Sequence, residues 1–200
     1  MNARRPRLVI MTKVPKPGAV KTRLGKGVGM GPAARWFRRQ SLSLIRRLSA
    51  DPRWKTILAV APDREGLEAC VWPPSILRIP QGPGDLGDRM GRILRSLPPG
   101  PVVIIGADIP GVARADIAAA FHALGRADAV FGPAEDGGYW LIGLARGRRS
   151  APAGLFSNVR WSTAHALADT EASLGDIRIA HVRTLQDVDT VEDLRPNVVW

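Results

Sequence analysis

Residues 102–105 form a Val-Val-Ile-Ile run that is apolar on both faces of an extended chain. Such a run is typical of a central parallel strand covered by helices on both sides. Similar apolar runs recur with helical patterns between most of them, and this alternation predicts a doubly wound α/β sheet. The predicted strands are 7–12, 56–61, 76–79, 101–107, 128–132, 139–144 and 178–183. The predicted helices are 31–50, 64–70, 86–97, 113–124 and 163–174.

One segment departs from this alternation. Asp136-Gly137-Gly138 is a turn signal, and the predicted strand 139–144 follows it with no helix in between. This pattern predicts an antiparallel insertion in an otherwise mostly parallel sheet. Because no linker, internal repeat or low-complexity tract interrupts the chain, residues 1–200 are expected to form a single domain.

The net charge of +11 raises the possibility of nucleic-acid binding. A nucleic-acid surface would be favoured by a continuous basic stripe interleaved with aromatic residues. The arginines here are spread out, and those between residues 31 and 50 fit the solvated face of an amphipathic helix. A non-catalytic, basic nucleic-acid-binding module therefore stays open only as an alternative.

Cellular location is suggested by two further features. Cys70 is the only cysteine, which rules out an internal disulfide and fits a reducing compartment. The apolar run near the N-terminus is too short for a signal peptide or a membrane span. We therefore expect a cytoplasmic protein with no membrane partner.

A cationic loop, KVPKPGAVKTRL at 13–24, follows the first predicted strand. Its prolines and glycine disfavour helix and strand, so we expect an open loop that faces solvent. The loop is a candidate site for phosphate or diphosphate because it carries four cations, Lys13, Lys16, Lys21 and Arg23. A basic surface turn is the alternative. The loop does not match the P-loop motif of ATPases, because Val20 occupies the position where that motif requires glycine.

Asp108 closes the most apolar predicted strand and should face the same crevice as the cationic loop. It could simply neutralise the loop. A phosphate ligand, however, usually brings Mg²⁺ or Mn²⁺, which one or two carboxylates hold together with phosphate oxygens and water. We favour a metal-ligand role for Asp108.

Two glycine-containing loops carry further candidates. Gly137 and Gly138 allow a ligand to approach the backbone, and Glu135 and Asp136 offer acceptors or a base. A tight hairpin, however, needs no ligand. Gln81, Gly82 and Asp85 precede a predicted helix. They could read a base or sugar, although Asp85 could equally cap the helix.

Two further segments resemble helix starts. Asp189 or Thr190 could cap a helix near the C-terminus, although Asp189 could also be a second metal ligand. Ser162 could cap a helix that begins at Trp161-Ser162-Thr163. His122, His165 and His181 show no metal-ligand spacing.

Taken together, six ordered segments resemble one bacterial family. They are similar to segments of arsenosugar-biosynthesis-type glycosyltransferases, and together they extend over nearly the whole chain. The six segments are KVPKPGAVKTRL, QGPGDLGDR, GADIP, GPAEDGGYWLIGL, VRWST and DVDTVEDL. The loop and the Asp-Gly-Gly turn more distantly resemble 2-phospho-lactate guanylyltransferases, and the ending resembles sugar-nucleotide cytidylyltransferases. The Asp-x-Asp metal motif usual in such glycosyltransferases is absent, and Asp108 stands alone in its place.

The resemblance implies the nucleotide-diphospho-sugar transferase (GT-A) fold and a metal-dependent transferase. Lys21 and Arg23 would hold phosphates, and Asp108 with Asp189 would hold Mg²⁺ or Mn²⁺. Residues 81–85 would contact the nucleoside or acceptor, and Asp136 could activate an acceptor hydroxyl. Glycosyl transfer from a nucleotide sugar to a small acceptor is the favoured reaction. The alternative is transfer of a nucleoside monophosphate from a triphosphate to a small phosphorylated acceptor.

Overall fold

The computed structural model describes residues 5–145, 152 and 154–194. Seven strands are present in this part of the chain, and each coincides with a predicted apolar run. They are β1 (Arg7–Lys13), β2 (Lys55–Ala61), β3 (Leu77–Pro80), β4 (Val102–Gly106), β5 (Ala129–Pro133), β6 (Tyr139–Leu144) and β7 (Ile179–His181).

The described residues also form six helices. They are α1 (Thr22–Val28), α2 (Met30–Ser49), α3 (Asp63–Glu68), α4 (Leu86–Ser96), α5 (Arg114–Ala123) and α6 (Ala166–Ser173). Five of them overlap predicted helices, whereas α1 occupies the end of what was expected to be open loop. None of the helices in the described ranges is long and apolar enough to cross a membrane.

The strands form one sheet in the order β3-β2-β1-β4-β6-β5-β7. Strand β1 pairs in parallel with both β2 and β4, whereas β6 runs antiparallel to its neighbours β4 and β5. The predicted antiparallel insertion is therefore confirmed, within a sheet that is otherwise parallel. The chain order reverses between β1 and β4, and in open α/β sheets ligands bind at such a switch point.

Side chains on the two faces of the sheet enter two separate apolar clusters. Leu8 and Ile10 of β1 pack with Leu44 of α2 and Ile117 of α5, whereas Val9 packs on the opposite face with Ile93 of α4. Alternation along a strand explains this division, because successive side chains point to opposite faces. Helices thus cover both faces, and the doubly wound α/β architecture is confirmed.

Candidate functional site

A cleft of about 610 Å³ opens at the carboxyl ends of β1 and β4, where the order of the strands reverses. The loop after β1 and the loop after β4 both line it, as does the segment that follows β7. Of the predicted site residues, eight line this cleft: Lys13, Lys21, Arg23, Gln81, Asp108, Asp136, Gly138 and Asp189. The candidates that do not line it are Lys16, Gly82, Asp85, Glu135 and Gly137.

Lys21 lies at the centre of the charged part of the cleft. Its ammonium nitrogen donates to Asp189 Oδ1 at 2.8 Å and lies 2.9 Å from Asp108 Oδ2. Asp187 Oδ2 lies 4.0 Å from the same nitrogen. Three loops that are distant in sequence therefore place their charges around one atom.

The structure corrects the expectation that this loop faces solvent throughout. The Lys21 side chain is only 5% exposed, whereas that of Arg23 is 69% exposed. Lys21 immediately precedes α1, and the fully buried Leu24 fixes that helix against the core. Arg23 reaches back to Asp189, with 3.1 Å between Nη1 and Oδ2.

The charges shift the protonation equilibria of the cluster. Burial alone would lower the pKa of Lys21, but Asp108 and Asp189 outweigh it and raise that pKa above its ordinary value. The pKa of Asp187 is raised to about 6, first by burial and then by the negative charge of Asp189, against the opposing effect of Lys21. The cluster therefore holds an ammonium that stays charged beside carboxylates that repel one another.

The donor set of the cluster suits a hard divalent cation. Asp108 and Asp189 supply carboxylate oxygens, which Mg²⁺ and Mn²⁺ prefer. The Lys21 ammonium already contacts both side chains, so the space between them accommodates positive charge. Within residues 5–145, 152 and 154–194, no three His, Cys, Asp or Glu side chains form a ready-made metal site. Phosphate oxygens and water would have to complete the coordination.

The segment that carries Asp189 is not helical, so the predicted helix start at Asp189 or Thr190 is wrong. Asp193 Oδ2 instead accepts hydrogen bonds from the backbone amides of Asp189 and Thr190, and from the Thr190 hydroxyl at 2.9 Å. An acid that follows a Thr by three residues is also typical of a helix start, and this explains the error. The Asp193 contacts hold the turn that presents Asp189 to Lys21.

The turn between β5 and β6 brings Asp136 to the cleft. Asp136 Oδ1 accepts a hydrogen bond from the Gly138 amide at 2.9 Å, which closes the predicted turn. Gly137 has a φ of +83°, and a Cβ there would collide with the backbone of Ala164. Glycine is therefore needed at 137 for the local backbone, which accounts for it without a ligand.

Residues of the 81–85 loop form hydrogen bonds that stabilise the fold. Gln81 is buried, and its Nε2 donates to the carbonyls of Thr12 and Ala59 at 3.1 and 2.8 Å. The Gly82 amide donates to Asp63, and Asp85 forms a capping box with Asp88 at the start of α4. Gln81 thus ties β1 and β2 together at the edge of the cleft.

The segment at 160–163 lies within VRWST, one of the six family-like stretches, and forms a side of the cleft for which no site role was predicted. The predicted helix start at Ser162 is wrong, because α6 begins at Ala166 and Ser162 has a φ of +61°. Arg160 forms a two-pronged ion pair with Asp169 at 2.8 Å on each side, and this pair anchors the segment. Next to it, Trp161 lies against Tyr139, with 6.5 Å between the ring centres.

The α/β sheet of this chain has the nucleotide-diphospho-sugar transferase (GT-A) fold. A sequence family described as an uncharacterized protein conserved in bacteria (DUF2064) matches residues 44–163, and the chain belongs to this family. No curated protein sequence matches the chain significantly. The more specific resemblance to the arsenosugar-biosynthesis-type family is not confirmed by these comparisons.

Solved structures share the fold. A protein of Desulfovibrio desulfuricans G20 that is named as a candidate nucleotide-diphospho-sugar transferase superposes with a TM-score of 0.82 at 28% identity, over 94% of this chain and 84% of that one. The 4-diphosphocytidyl-2C-methyl-D-erythritol synthase of Anaerococcus prevotii superposes with a TM-score of 0.59 at 14% identity, over 94% of each chain. The Mycobacterium tuberculosis protein Rv0371c, solved in complex with manganese, has a TM-score of 0.55 at 14% identity, over 94% of this chain and 95% of that one.

Proposed function

We propose that the protein is a metal-dependent transferase that uses a nucleotide-activated donor. The observation that carries this proposal is the meeting of Lys21 with Asp108 and Asp189 inside the cleft at the switch point of the sheet. A nucleotide-diphosphate leaving group develops negative charge, and cations placed around it stabilise that charge. The likeness to the Desulfovibrio desulfuricans protein supports the same class of donor.

The cations of the β1 loop would bind the phosphates. Lys21 supplies a buried point charge, and Arg23 supplies an exposed guanidinium that can bind two oxygens at once. Lys13 lines the same cleft at the end of β1. The nucleoside would extend toward Gln81, where Leu86 and Met90 of α4 add apolar surface.

Asp108 and Asp189 would hold the Mg²⁺ or Mn²⁺ ion. When bound, this ion would neutralise charge on the phosphates as the leaving group departs. The solved manganese complex of Rv0371c supports a divalent ion in this fold, although its 14% identity carries no residue assignment.

We propose glycosyl transfer to a small acceptor as the reaction. Asp136 lies in the cleft, in the turn between β5 and β6, and would take the proton from an acceptor hydroxyl. Its hydrogen bond from the Gly138 amide fixes the orientation of the carboxylate. Trp161, in the same cleft, offers an apolar ring beside the acceptor.

Nucleotidyl transfer is the second candidate, and one feature of the chain favours it. Ile109 and Pro110 follow Asp108, so the Asp-x-Asp motif usual in glycosyltransferases of this fold is missing. In that reaction the same cations would stabilise the attacked α-phosphate, and pyrophosphate would leave.

The product that is released separates the two reactions. Nucleotide sugars and nucleoside triphosphates would be incubated with the protein, Mn²⁺ and pools of small hydroxylated or phosphorylated acceptors. Glycosyl transfer predicts release of a nucleoside diphosphate, and Asp136→Asn should abolish it while nucleotide binding is retained. Release of pyrophosphate would support the second candidate instead. Metal-independent nucleic-acid binding with neither product would refute both.

A further inference from the structure

The Lys21 ammonium lies where the proposed metal site would be. Its nitrogen is within 2.9 Å of Asp108 Oδ2 and 2.8 Å of Asp189 Oδ1. These are the two carboxylates that would hold the divalent ion. A metal ion bound to both side chains would therefore meet a positive charge already paired with them.

The fold imposes this position on Lys21. Its φ of 45° and ψ of 49° lie in the left-handed region, which residues other than glycine rarely adopt. The buried Leu24 holds the following helix α1 in place. The Lys21 side chain at the start of this helix is only 5% exposed. The lysine is therefore directed at the carboxylates before any ligand binds.

Lys21 relieves repulsion within the acidic cluster. Asp187 lies 4.0 Å from its nitrogen, so three carboxylates surround one ammonium. Carboxylates gathered around one ammonium repel one another, and the lysine offsets this cost. A divalent ion can replace the lysine at low cost only if the ammonium finds another anion. The phosphates of a nucleotide are such an anion.

We propose that Lys21 is a built-in counter-ion that makes the metal ion and the nucleotide bind cooperatively. This inference rests on the proposed function and adds the species that the site recognises, which is the metal–nucleotide pair and not the free metal. When a phosphate draws Lys21 away, Asp108 and Asp189 become available to the metal. Because coupling between ligands is reciprocal, the metal must strengthen nucleotide binding by the same factor.

Manganese titrations followed by electron paramagnetic resonance test this proposal. In the wild type, CTP, GTP, UTP or UDP-glucose, each tried in turn, should tighten Mn²⁺ binding to the protein at least ~10-fold once the nucleotide's own Mn²⁺ binding is subtracted. Lys21→Met should bind Mn²⁺ without nucleotide at least ~10-fold more tightly than the wild type, and it should bind nucleotide more weakly.

Lys16→Met is the matched control. Lys16 lies in the same loop, but its side chain is 60% exposed and pairs with Glu65 at 2.8 Å, away from the cluster. Its loss removes the same charge, yet screening by solvent should hold the change in Mn²⁺ affinity within about twofold.

Several outcomes would overturn the proposal. Wild-type protein that binds Mn²⁺ equally well with and without a bound nucleotide contradicts it, and so does Lys21→Met with unchanged or weaker Mn²⁺ affinity. If none of the nucleotides binds, the proposed function fails, and the Mn²⁺ titration of Lys21→Met still decides the role of Lys21. If Lys21→Met does not fold, the wild-type comparison still tests the proposal, because equal Mn²⁺ affinity with and without nucleotide would overturn it.

Discussion

Lys21 and Asp189 join the loop after the first strand to the segment after the last one. The ammonium nitrogen of Lys21 donates to Asp189 Oδ1 at 2.8 Å, and the lysine side chain is 5% exposed. The C-terminal segment therefore takes part in the cleft at the switch point of the sheet. Its contribution to function can be tested separately from its contribution to the fold.

Replacing either proposed metal ligand should remove metal-dependent nucleotide binding. In Asp108→Asn and in Asp189→Asn, Lys21 keeps one carboxylate partner, so both variants should fold. Calorimetric titration with nucleotide in the presence of Mn²⁺ should show at least ~10-fold weaker binding than in the wild type. Wild-type affinity in either variant would show that its carboxylate does not hold the metal.

Arg23→Ala should weaken nucleotide binding with little effect on stability. Arg23 is 69% exposed and its partner Asp189 is 39% exposed, so their ion pair should contribute less than about 1 kcal/mol to the free energy of unfolding. Nucleotide affinity should drop about tenfold if Arg23 binds phosphate. Arg64→Ala is the control, because Arg64 also forms an exposed ion pair, with Glu68 in α3. Equal nucleotide affinities in the two variants would show that Arg23 does not bind phosphate.

The ion pair of Arg160 and Asp169 should make the stability of the Trp161 segment depend on pH. Hydrogen bonds from the Arg160 side chain, and then from its backbone amide, lower the pKa of Asp169 below its ordinary value. A lowered pKa in the folded state means that the stabilisation is fully present above the unfolded pKa of about 4 and is lost as the pH falls below it.

Asp169→Asn should accordingly lower the melting temperature at pH 7, and its difference from the wild type should shrink below pH 4. Because the pair anchors the side of the cleft next to Trp161, which is proposed to lie beside the acceptor, transfer to the acceptor should slow as well. A melting-temperature difference that is constant from pH 7 to pH 3 would contradict this account of the pair.

Two glycines of α4 should respond oppositely to alanine. A Cβ at Gly87 would lie 2.8 Å from the Trp161 ring and 2.9 Å from Phe156, so Gly87→Ala should lower the free energy of unfolding by about 1–3 kcal/mol. A Cβ at Gly91 would meet only the flexible end of Arg95, at 3.0 Å. Gly91→Ala should therefore raise the free energy of unfolding by roughly 0.5–1 kcal/mol. Urea unfolding measures both. Equal stabilities would show that Trp161 does not depend on close packing against Gly87.

Apolar runs were sufficient to predict all seven strands. The five inner strands are mostly buried in the core, and the edge strands β3 and β7 still carry partly buried apolar side chains, such as Ile79 and Ile179. Hydrophobic periodicity could not predict α1, whose sequence TRLGKGV has two glycines and one large apolar residue before its final valine. That helix forms because the fully buried Leu24 packs into the core, and this is a tertiary effect that local propensity does not contain.

Part of the candidate site could be predicted from the order of the strands and loops in the sequence. Parallel strands end at one edge of the sheet, so Lys21 and Asp108 could be expected to face each other. The burial of Lys21 could not be expected, since it depends on the left-handed backbone at that residue and on Leu24. No role in the cleft was predicted for Trp161, although VRWST is a family-like segment, because Arg160 and Asp169, which hold it, resemble ordinary surface charges in the sequence.

Thermal unfolding with and without ligand tests the central claim most directly. The wild type would be heated with nucleoside diphosphates, nucleoside triphosphates and nucleotide sugars, each with Mn²⁺, with Mg²⁺ and with chelator. Metal-dependent nucleotide use predicts a raised melting temperature for at least one nucleotide with metal only, equivalent to about 2.7 kcal/mol at ~100 times the dissociation constant. A melting temperature unchanged by every nucleotide in the presence of either metal would contradict the account.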